Sequence, residues 1–258
     1  MIITTAFNEL EEHVVKAQSL ALQLGVRYYP RQKKTINNLL ATTKSPVLVV
    51  NSNRGLSYYE RADEEVFFHP NMAFHRIKQL AISGEDSFVS ACKLKPGMTF
   101  FDGTFGLGSD SLVASYVVGK AGDVVAVEKS LPLWIIVSEG LNFYAQQNPL
   151  WAPLIQRLKV RQADNLDYLR QCDPGSFDVI YFDFMFARPV EVSTGIGVIK
   201  PLAIYDIITK EHVKVAQRVA KERVVVKASY PKKTLAELGF KIEKANQRRH
   251  FFYATLEV

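Results

Sequence analysis

Strand-like and helix-like patterns of apolar and polar residues alternate through the second half of the chain. Strands are predicted at 98–102, 123–127, 159–162, 177–182 and 223–228. Helices are predicted between them at 110–118, 132–147 and 205–220, with shorter ones from 165 and at 232–238. Strands that alternate with helices form a parallel sheet, and 241–244 with 251–258 predict a closing antiparallel hairpin. We therefore predict a Rossmann-like, doubly wound α/β fold with a mostly parallel seven-stranded sheet.

The first 70 residues predict a separate small α/β element. Apolar residues recur at helical spacing over 8–24, which places one face at Leu10, Val14, Val15, Ala17 and Leu20. Strands are predicted at 47–50, 56–60 and 65–69, and a helix over 70–94 leads into the larger region. The predicted domains are therefore 1–70 and 71–258.

A glycine-rich turn follows the strand at 98–102. From Asp102 to Asp110 it reads Asp-Gly-Thr-Phe-Gly-Leu-Gly-Ser-Asp. Glycine permits tight bends and a close approach to a ligand, and Ser109 or Asp110 can cap the helix that follows. Doubly wound sheets hold nucleoside-containing cofactors at such turns.

The spacing of this turn discriminates between cofactors. The dinucleotide fingerprint is G-x-G-x-x-G, and Ser111 stands where the third glycine is required. Asp102 would repel a pyrophosphate but tolerate S-adenosylmethionine, which carries an amino group and a sulfonium and no phosphate. Glu128 ends the next strand, about 20 residues past the glycines, where a carboxylate hydrogen-bonds ribose hydroxyls. We therefore expect S-adenosylmethionine, with a nicotinamide cofactor as the less favoured alternative.

Acidic or polar residues follow four strands, namely Asp102, Glu128, Asp164 with Asn165, and Asp183. The carboxyl ends of parallel strands share one edge, so these side chains are expected to converge there. Capping of the next helix is the simpler explanation for the Asp-Asn pair. Asp183 precedes Phe184, Met185 and Phe186 instead of a helix, which predicts an exposed wall on which a planar base stacks.

Composition limits the class of protein. Of 258 residues, 48% are hydrophobic and 22% charged, which allows a sizeable core. No apolar run approaches the roughly 20 residues of a membrane helix, and the acidic start of the chain lacks a signal-peptide pattern. Cys92 and Cys172 show no metal-ligand spacing and are interpreted as reduced, buried thiols. We therefore expect a cytoplasmic protein without a metal site or a membrane partner.

The charge balance permits a polyanionic partner without requiring one, because the net charge is +6. Arg31, Lys33 and Lys34 form a basic cluster in a predicted loop. A solvated loop and a phosphate-binding loop both explain this cluster.

Together these motifs resemble class I S-adenosylmethionine-dependent methyltransferases. Within that class, the chain is similar to the bacterial family that methylates the exocyclic N2 amine of a guanosine in small-subunit ribosomal RNA. Residues 102–111 are similar to the family's D-A-T-A-G-L-G-R-D-A, 181–186 to Y-L-D-P-M-F-P, and 223–227 to R-V-V-V-K-R-P. Weaker similarity occurs at 73–76 and 249–251, and the match runs from about residue 65 to the end.

The turn and the resemblance together define a candidate cofactor site. Its residues are Asp102, Gly103, Thr104, Gly106, Gly108, Ser109, Asp110, Glu128, Lys129, Asp164, Asn165 and Asp183. The resemblance implies that Glu128 takes the ribose hydroxyls and that Asp164 or Asn165 lies on the adenine side. Asp183, Phe184 and Phe186 are the catalytic candidates: Asp183 orients the amine and the two rings receive the base.

Lys227 either contacts an RNA phosphate or is simply a charged residue at a strand end.

The chain departs from the family pattern at three positions. Phe184 and Ala187 replace prolines, which stiffen a loop, and Ser109 replaces an arginine. Four functions therefore remain open: a ribosomal RNA methyltransferase acting on a guanine amine, a methyltransferase on tRNA, DNA or a small molecule, a catalytically silent cofactor- or RNA-binding protein, and a nicotinamide oxidoreductase, against which the missing third glycine argues.

Overall fold

The computed structural model describes residues 1–184, 202, 206–229, 232–243 and 251–258. Within these ranges the chain forms two compact units. The first comprises Met1–His69 together with Ile135–Gln147, and the second comprises Pro70–Trp134 with the described residues from 148 onward. The division into domains at residue 70 stays a prediction.

The first unit is built on a five-stranded sheet. Its strands are β1 (Ile2–Thr5), β2 (Arg27–Tyr28), β3 (Val47–Asn51), β4 (Gly55–Tyr59) and β5 (Glu65–Phe67), and its helices are α1 (Glu11–Leu24) and α2 (Ile36–Thr43). The order is β2-β1-β3-β4-β5. Strands β2, β1 and β3 are parallel, and β4 and β5 add antiparallel to β3.

The predicted inner face of α1 was wrong at two positions. Leu10 and Val15 are 47% and 61% exposed, and the buried residues are His13, Ala17, Leu20 and Ala21. A polar residue, His13, occupies an inward position and hydrogen-bonds Ser52, with 3.3 Å between Nε2 and Oγ. Ala17 and Leu20 are buried as predicted, so the apolar pattern found part of the inner face but missed His13 and Ala21.

The second unit is a seven-stranded sheet with helices. Its strands are β6 (Thr99–Asp102), β7 (Asp123–Glu128), β8 (Leu158–Gln162), β9 (Phe177–Phe182), β10 (Ala220–Ala228), β11 (Lys241–Ile242) and β12 (Phe252–Glu257). Its helices are α3 (Asn71–Ser83), α4 (Ser87–Cys92), α5 (Ser109–Val118), α6 (Leu131–Gln147), α7 (Ala152–Gln156), α8 (Asn165–Gln171), α9 (Lys210–Val219) and α10 (Lys232–Glu237). From Ile135 onward, α6 groups with the first unit.

The strand order is β11-β12-β10-β9-β6-β7-β8. Strands β6 to β10 are parallel, and β12 is antiparallel to β10 and β11. The predicted mostly parallel sheet with an antiparallel C-terminal pair is confirmed. The central strands are buried on both faces, as in other parallel sheets with helices on each side: Phe100, Phe101, Tyr181 and Phe182 are fully buried.

Two predicted helices have different bounds. The single helix predicted over 70–94 is two helices, because Gly84 ends α3 at φ 71° and the Asp86 side chain then caps α4. The helix predicted from 205 begins at Lys210, where the Thr209 hydroxyl accepts a hydrogen bond from the His212 N–H. Residue 205 itself lies outside the described ranges.

In the described parts of the chain, no helix has the length and apolar character needed to span a membrane.

Candidate active site

The sheet reverses its direction of growth between β6 and β9. From β6 the chain adds β7 and β8 on one side, and β9 then pairs with the other side of β6. Ligands of open α/β sheets bind at the carboxyl ends of the strands beside such a switch point. Asp102 and Glu128 end β6 and β7, and Asp183 directly follows β9. The fold therefore brings these predicted site residues to one edge.

The backbone N–H groups of the glycine-rich turn are largely engaged within the protein. Gly103 donates to the Tyr181 carbonyl at 2.8 Å and Phe105 to the Val127 carbonyl at 3.0 Å. Gly106 donates to Glu128 Oε2 at 3.0 Å. The turn therefore does not present these donors to a phosphate, which fits a nucleoside cofactor without phosphate groups.

Two of the turn glycines are required by their surroundings. A Cβ on Gly103 would lie 2.4 Å from the Phe182 ring, so the turn can sit against β9 only without a side chain. Gly108 has φ +69°, and a Cβ there would lie 2.7 Å from the Phe105 ring. Both features hold the start of α5 close to the sheet edge.

Asp102 stabilises the glycine-rich turn through its buried carboxylate. It is 1% exposed, and its carboxylate accepts hydrogen bonds from the Thr104 N–H at 3.0 Å and the Ser111 hydroxyl at 2.7 Å. Burial raises the pKa of Asp102 to about 7, although these two hydrogen bonds oppose the shift. The structure therefore gives this predicted cofactor residue an anchoring role between β6 and α5.

Glu128 lies at the end of β7 beside the turn. Its carboxylate accepts the N–H groups of Gly106 and Ser130, the latter at 2.8 Å, and burial raises its pKa. A carboxylate offers about four acceptor sites, so these contacts orient it and still leave acceptor capacity for ribose hydroxyls. The next residue, Lys129, holds Asp164 at 3.1 Å and Asp206 at 3.0 Å.

Asp164 and Asn165 occupy the start of α8. Asp164 caps the helix by accepting the N–H groups of Leu166 and Asp167, as the simpler explanation of this residue predicted. The Asn165 side chain is held at both ends: Nδ2 donates to the Gly103 carbonyl at 3.0 Å, and Oδ1 lies 3.1 Å from His212 Nε2. The amide of Asn165 therefore fixes the turn to α9.

His212 is a site residue that sequence reasoning missed. Its Nδ1 lies 2.7 Å from the Thr209 hydroxyl and 3.3 Å from the Thr209 backbone N–H, which donates to it. These contacts assign the proton to Nε2, which donates to Asn165. Burial lowers the pKa of His212, so the neutral form is favoured. Nothing in its sequence surroundings marks it as more than a helix residue.

Asp183 belongs to a charged cluster at the edge of the sheet. Its backbone N–H donates to the Thr104 hydroxyl, and its Oδ2 accepts a hydrogen bond from Lys227, both at 2.5 Å. Lys227 Nζ also lies 3.7 Å from Asp110 Oδ2. Burial lowers the pKa of Lys227, but the carboxylates of Asp183 and Asp110 outweigh it and raise the pKa above its ordinary value. The lysine is therefore firmly cationic and joins the two aspartates.

Arg76 completes this cluster from α3. It binds Asp86 through two contacts of 3.0 Å and Asp110 at 2.5 Å, and it lies 3.5 Å from the Ser109 hydroxyl. Asp110 also accepts a hydrogen bond from the Tyr181 hydroxyl at 2.8 Å. The only signal for Arg76 in the sequence was the weak similarity at 73–76. Ser109 and Asp110, at the start of α5, thus contact the protein's own cations.

The prediction of an exposed aromatic wall was wrong for Phe184. This side chain is 3% exposed and packs in the core, stacked on Phe182 at 5.3 Å and edge-on to His212 at 5.6 Å between ring centroids. An apolar ring directly after a buried strand gains more by extending the core than by facing water. Phe186 lies outside the described residues, as do Ala187 and 249–250.

Comparison with known proteins assigns the chain to a family. The family model described as "Putative SAM-dependent methyltransferase" matches residues 33–254. Bacillus subtilis YpiP, named as an uncharacterized protein, is 33% identical over 243 residues, covering 94% of each chain. Ribosomal RNA small subunit methyltransferase J of Marinobacter nauticus is 25% identical over 250 residues, covering 92% of this chain and 85% of the relative.

The fold is also found in a solved structure. A crystal structure of a SAM-dependent methyltransferase from Neisseria gonorrhoeae matches with a TM-score of 0.53 at 18% identity, covering 88% of this chain and 84% of that chain. Because the family model spans most of the sequence, and the turn and the acidic strand ends fit a phosphate-free nucleoside cofactor, the chain belongs to the family of S-adenosylmethionine-dependent methyltransferases and uses S-adenosylmethionine as its cofactor.

Proposed function

We propose that this protein methylates the exocyclic N2 amine of a guanosine in 16S ribosomal RNA. The observation that carries the proposal is the position of Asp183. It follows β9 at the switch point, its backbone is bonded to Thr104 of the cofactor turn, and its side chain is 31% exposed. A carboxylate has two oxygens, so Asp183 can accept a hydrogen bond from a substrate amine and still accept the one from Lys227.

The chemistry required of the protein is orientation. S-adenosylmethionine supplies a methyl group on a sulfonium. Asp183 accepts a hydrogen bond from an amine N–H, which aims the nitrogen lone pair at that methyl group. The carboxylate also stabilises the positive charge that develops on nitrogen as the N–C bond forms and the methyl–sulfur bond breaks, and it can accept the proton that the amine then loses. Lys227 fixes the rotamer of Asp183 through its 2.5 Å contact with Oδ2.

The names of relatives support an RNA substrate. Besides the Marinobacter nauticus protein, ribosomal RNA small subunit methyltransferase J of Acinetobacter baumannii is 30% identical over 115 residues, covering 44% of this chain and 39% of the relative. The net charge of +6 suits a partner with a phosphate backbone. Phe184 is not proposed to receive the base, because its ring lies in the core.

The test is transfer of labelled methyl groups from S-adenosylmethionine to free 16S ribosomal RNA and to small subunits that lack modifications. We expect label in RNA, with the rate reduced about 10²- to 10⁴-fold in Asp183→Asn and cofactor affinity nearly unchanged. The matched control is Asp173→Asn, the same substitution at an exposed position, which should retain full activity.

Two results would contradict the proposal. Wild-type protein that binds S-adenosylmethionine but leaves both RNA substrates unlabelled would shift the assignment to another substrate or to a silent binding protein. Full activity in Asp183→Asn would remove Asp183 from the reaction.

A further inference from the structure

The cations of the first unit are concentrated in one stretch of sequence. Between residues 13 and 59 the chain contains no Asp or Glu. The basic residues in this stretch are Lys16, Arg27, Arg31, Lys33, Lys34, Lys44 and Arg54. The local excess of positive charge is therefore much larger than the composition of the whole chain indicates.

Three of these cations serve the fold of the first unit. Lys16 pairs with Glu139 at 2.8 Å, and Arg54 pairs with Glu65 at 2.7 Å. Arg31 is 5% exposed and donates to the Thr5 carbonyl at 3.3 Å. The phosphate-binding alternative raised for the cluster at 31–34 therefore does not apply to Arg31.

Arg27 and Lys34 instead both contact the aromatic ring of Tyr29. The Arg27 guanidinium carbon lies 5.3 Å and Lys34 Nζ 4.7 Å from the centre of the Tyr29 ring. Lys34 Nζ is also 2.9 Å from the Tyr29 hydroxyl. Tyr29 is partly buried against the core cluster of the first unit, so the ring is a fixed support that holds two cations at the surface.

The loop between β2 and α2 adds a third cation. Gln32 and Lys33 have φ of 47° and 55°, a conformation that non-glycine residues rarely adopt, and the Lys33 side chain is exposed. Glu9 reaches this loop, but its carboxylate accepts the backbone N–H of Gln32 at 3.1 Å. Within the described ranges, Arg27, Lys33 and Lys34 form no ion pair with a carboxylate.

We infer that Arg27, Tyr29, Lys33 and Lys34, the Tyr29 surface, bind the phosphate backbone of the RNA substrate. This inference rests on the proposed function, since it takes RNA to be the substrate. Cations without a carboxylate partner can neutralise phosphates and release counterions, and a guanidinium can bind a phosphate through two hydrogen bonds. A ring that restrains Arg27 and Lys34 reduces the entropy lost when they bind. The first unit thereby contributes to RNA affinity, while the chemistry belongs to the second unit.

The test compares two triple charge reversals. Arg27→Glu/Lys33→Glu/Lys34→Glu removes the surface, and Lys95→Glu/Lys120→Glu/Lys241→Glu makes the same change in net charge at exposed lysines of the second unit. Binding of 16S ribosomal RNA fragments is measured as a function of salt, together with KM for RNA, kcat, and cofactor affinity. If the variant with three glutamates does not fold, a variant with glutamine at Arg27, Lys33 and Lys34 is tested in its place.

We expect the surface variant to bind RNA at least about tenfold more weakly at low salt. The slope of log K against log salt should fall by about 2, since each phosphate contact to a single strand contributes about 0.7. KM for RNA should rise while kcat and cofactor affinity stay unchanged. The control variant should change much less.

The outcomes separate this inference from the proposed function. RNA methylation with an unchanged KM in the surface variant overturns the Tyr29 surface and leaves the function intact. RNA binding that is lost in the surface variant, without any methylation by the wild type, supports the surface and overturns the function. An equal loss of affinity in both triple variants overturns the surface, because net charge alone would then explain binding. If the wild-type protein binds an acidic protein in preference to RNA, the inference about the Tyr29 surface is also overturned.

Discussion

Lys227 is the residue whose removal tests the charged cluster most sharply. It joins Asp183 and Asp110 and is 22% exposed. Breaking a buried ion pair on one side costs about 3–5 kcal/mol. We expect about 3 kcal/mol for Lys227→Met, the lower end, because Asp110 keeps Arg76 and Tyr181 and Asp183 is partly exposed. Urea denaturation at pH 7 measures this loss in the free energy of unfolding.

The loss should depend on pH in a defined direction. Burial already raises the pKa of Asp183, with Lys227 opposing the shift, so Lys227→Met raises this pKa further. An acid whose pKa is raised on folding destabilises the folded state above its unfolded pKa of about 3.9. The deficit of the variant should therefore be larger at pH 8 than at pH 5. In the wild type, the contribution of Lys227 is complete below about pH 10.4 and lost only above it.

A double-mutant cycle provides the refutation. In the background of Asp183→Asn, Lys227→Met should cost about 1–2 kcal/mol less than in the wild type, because the partner charge is already gone. A cost that is the same in both backgrounds, and independent of pH between 5 and 8, would refute the reasoning that the pair stabilises the site.

Three further predictions concern the cofactor side. Gly103→Ala places a methyl group against Phe182. It should lower the free energy of unfolding by about 1–3 kcal/mol, measured by heat or urea, and weaken the binding of S-adenosylmethionine. An unchanged unfolding midpoint would contradict the close approach of Gly103 to Phe182. Glu128→Gln should weaken cofactor binding about 10- to 100-fold in calorimetric titration, because a hydrogen bond to a charged group contributes about 1.5–3 kcal/mol. An unaltered affinity would show that Glu128 does not bind the cofactor. His212→Gln should reduce the pH dependence of stability. Because burial lowers the pKa of His212, the wild type should lose stability as the pH falls below about 6.5, and the glutamine variant should lose less over the same range. Parallel melting curves would contradict this assignment.

The sequence predicted the fold because the signals were local. Strands β6, β7 and β9 are apolar runs. The turn between β6 and α5 contains Gly103, which leaves no space for a side chain against Phe182, and Gly108, which has a positive φ. The C-terminal antiparallel pair was predicted for the same reason. The helix over 70–94 was misjudged because Gly84 followed by Asp86 both ends and restarts a helix, a signal that a continuous apolar pattern obscures.

The site was only partly predictable. That acidic strand ends share an edge follows from the topology, so Asp102, Glu128 and Asp183 could be found. Their partners could not, because Arg76 and His212 reach the site from α3 and α9 through contacts distant in sequence. The burial of Phe184 was also hidden, since a hydrophobic residue after a strand can extend the core or face a ligand, and only packing decides.

The most direct test of the account is to identify the methylated nucleoside. After reaction of the wild-type protein with unmodified 16S ribosomal RNA and S-adenosylmethionine, the RNA is digested to nucleosides and analysed by mass spectrometry against synthetic standards. The account predicts N2-methylguanosine as the product, formed about 10²- to 10⁴-fold more slowly when Asp183→Asn replaces the wild type. A methyl group on a ring nitrogen, on ribose or on another base, or no methylated nucleoside at all, would contradict it.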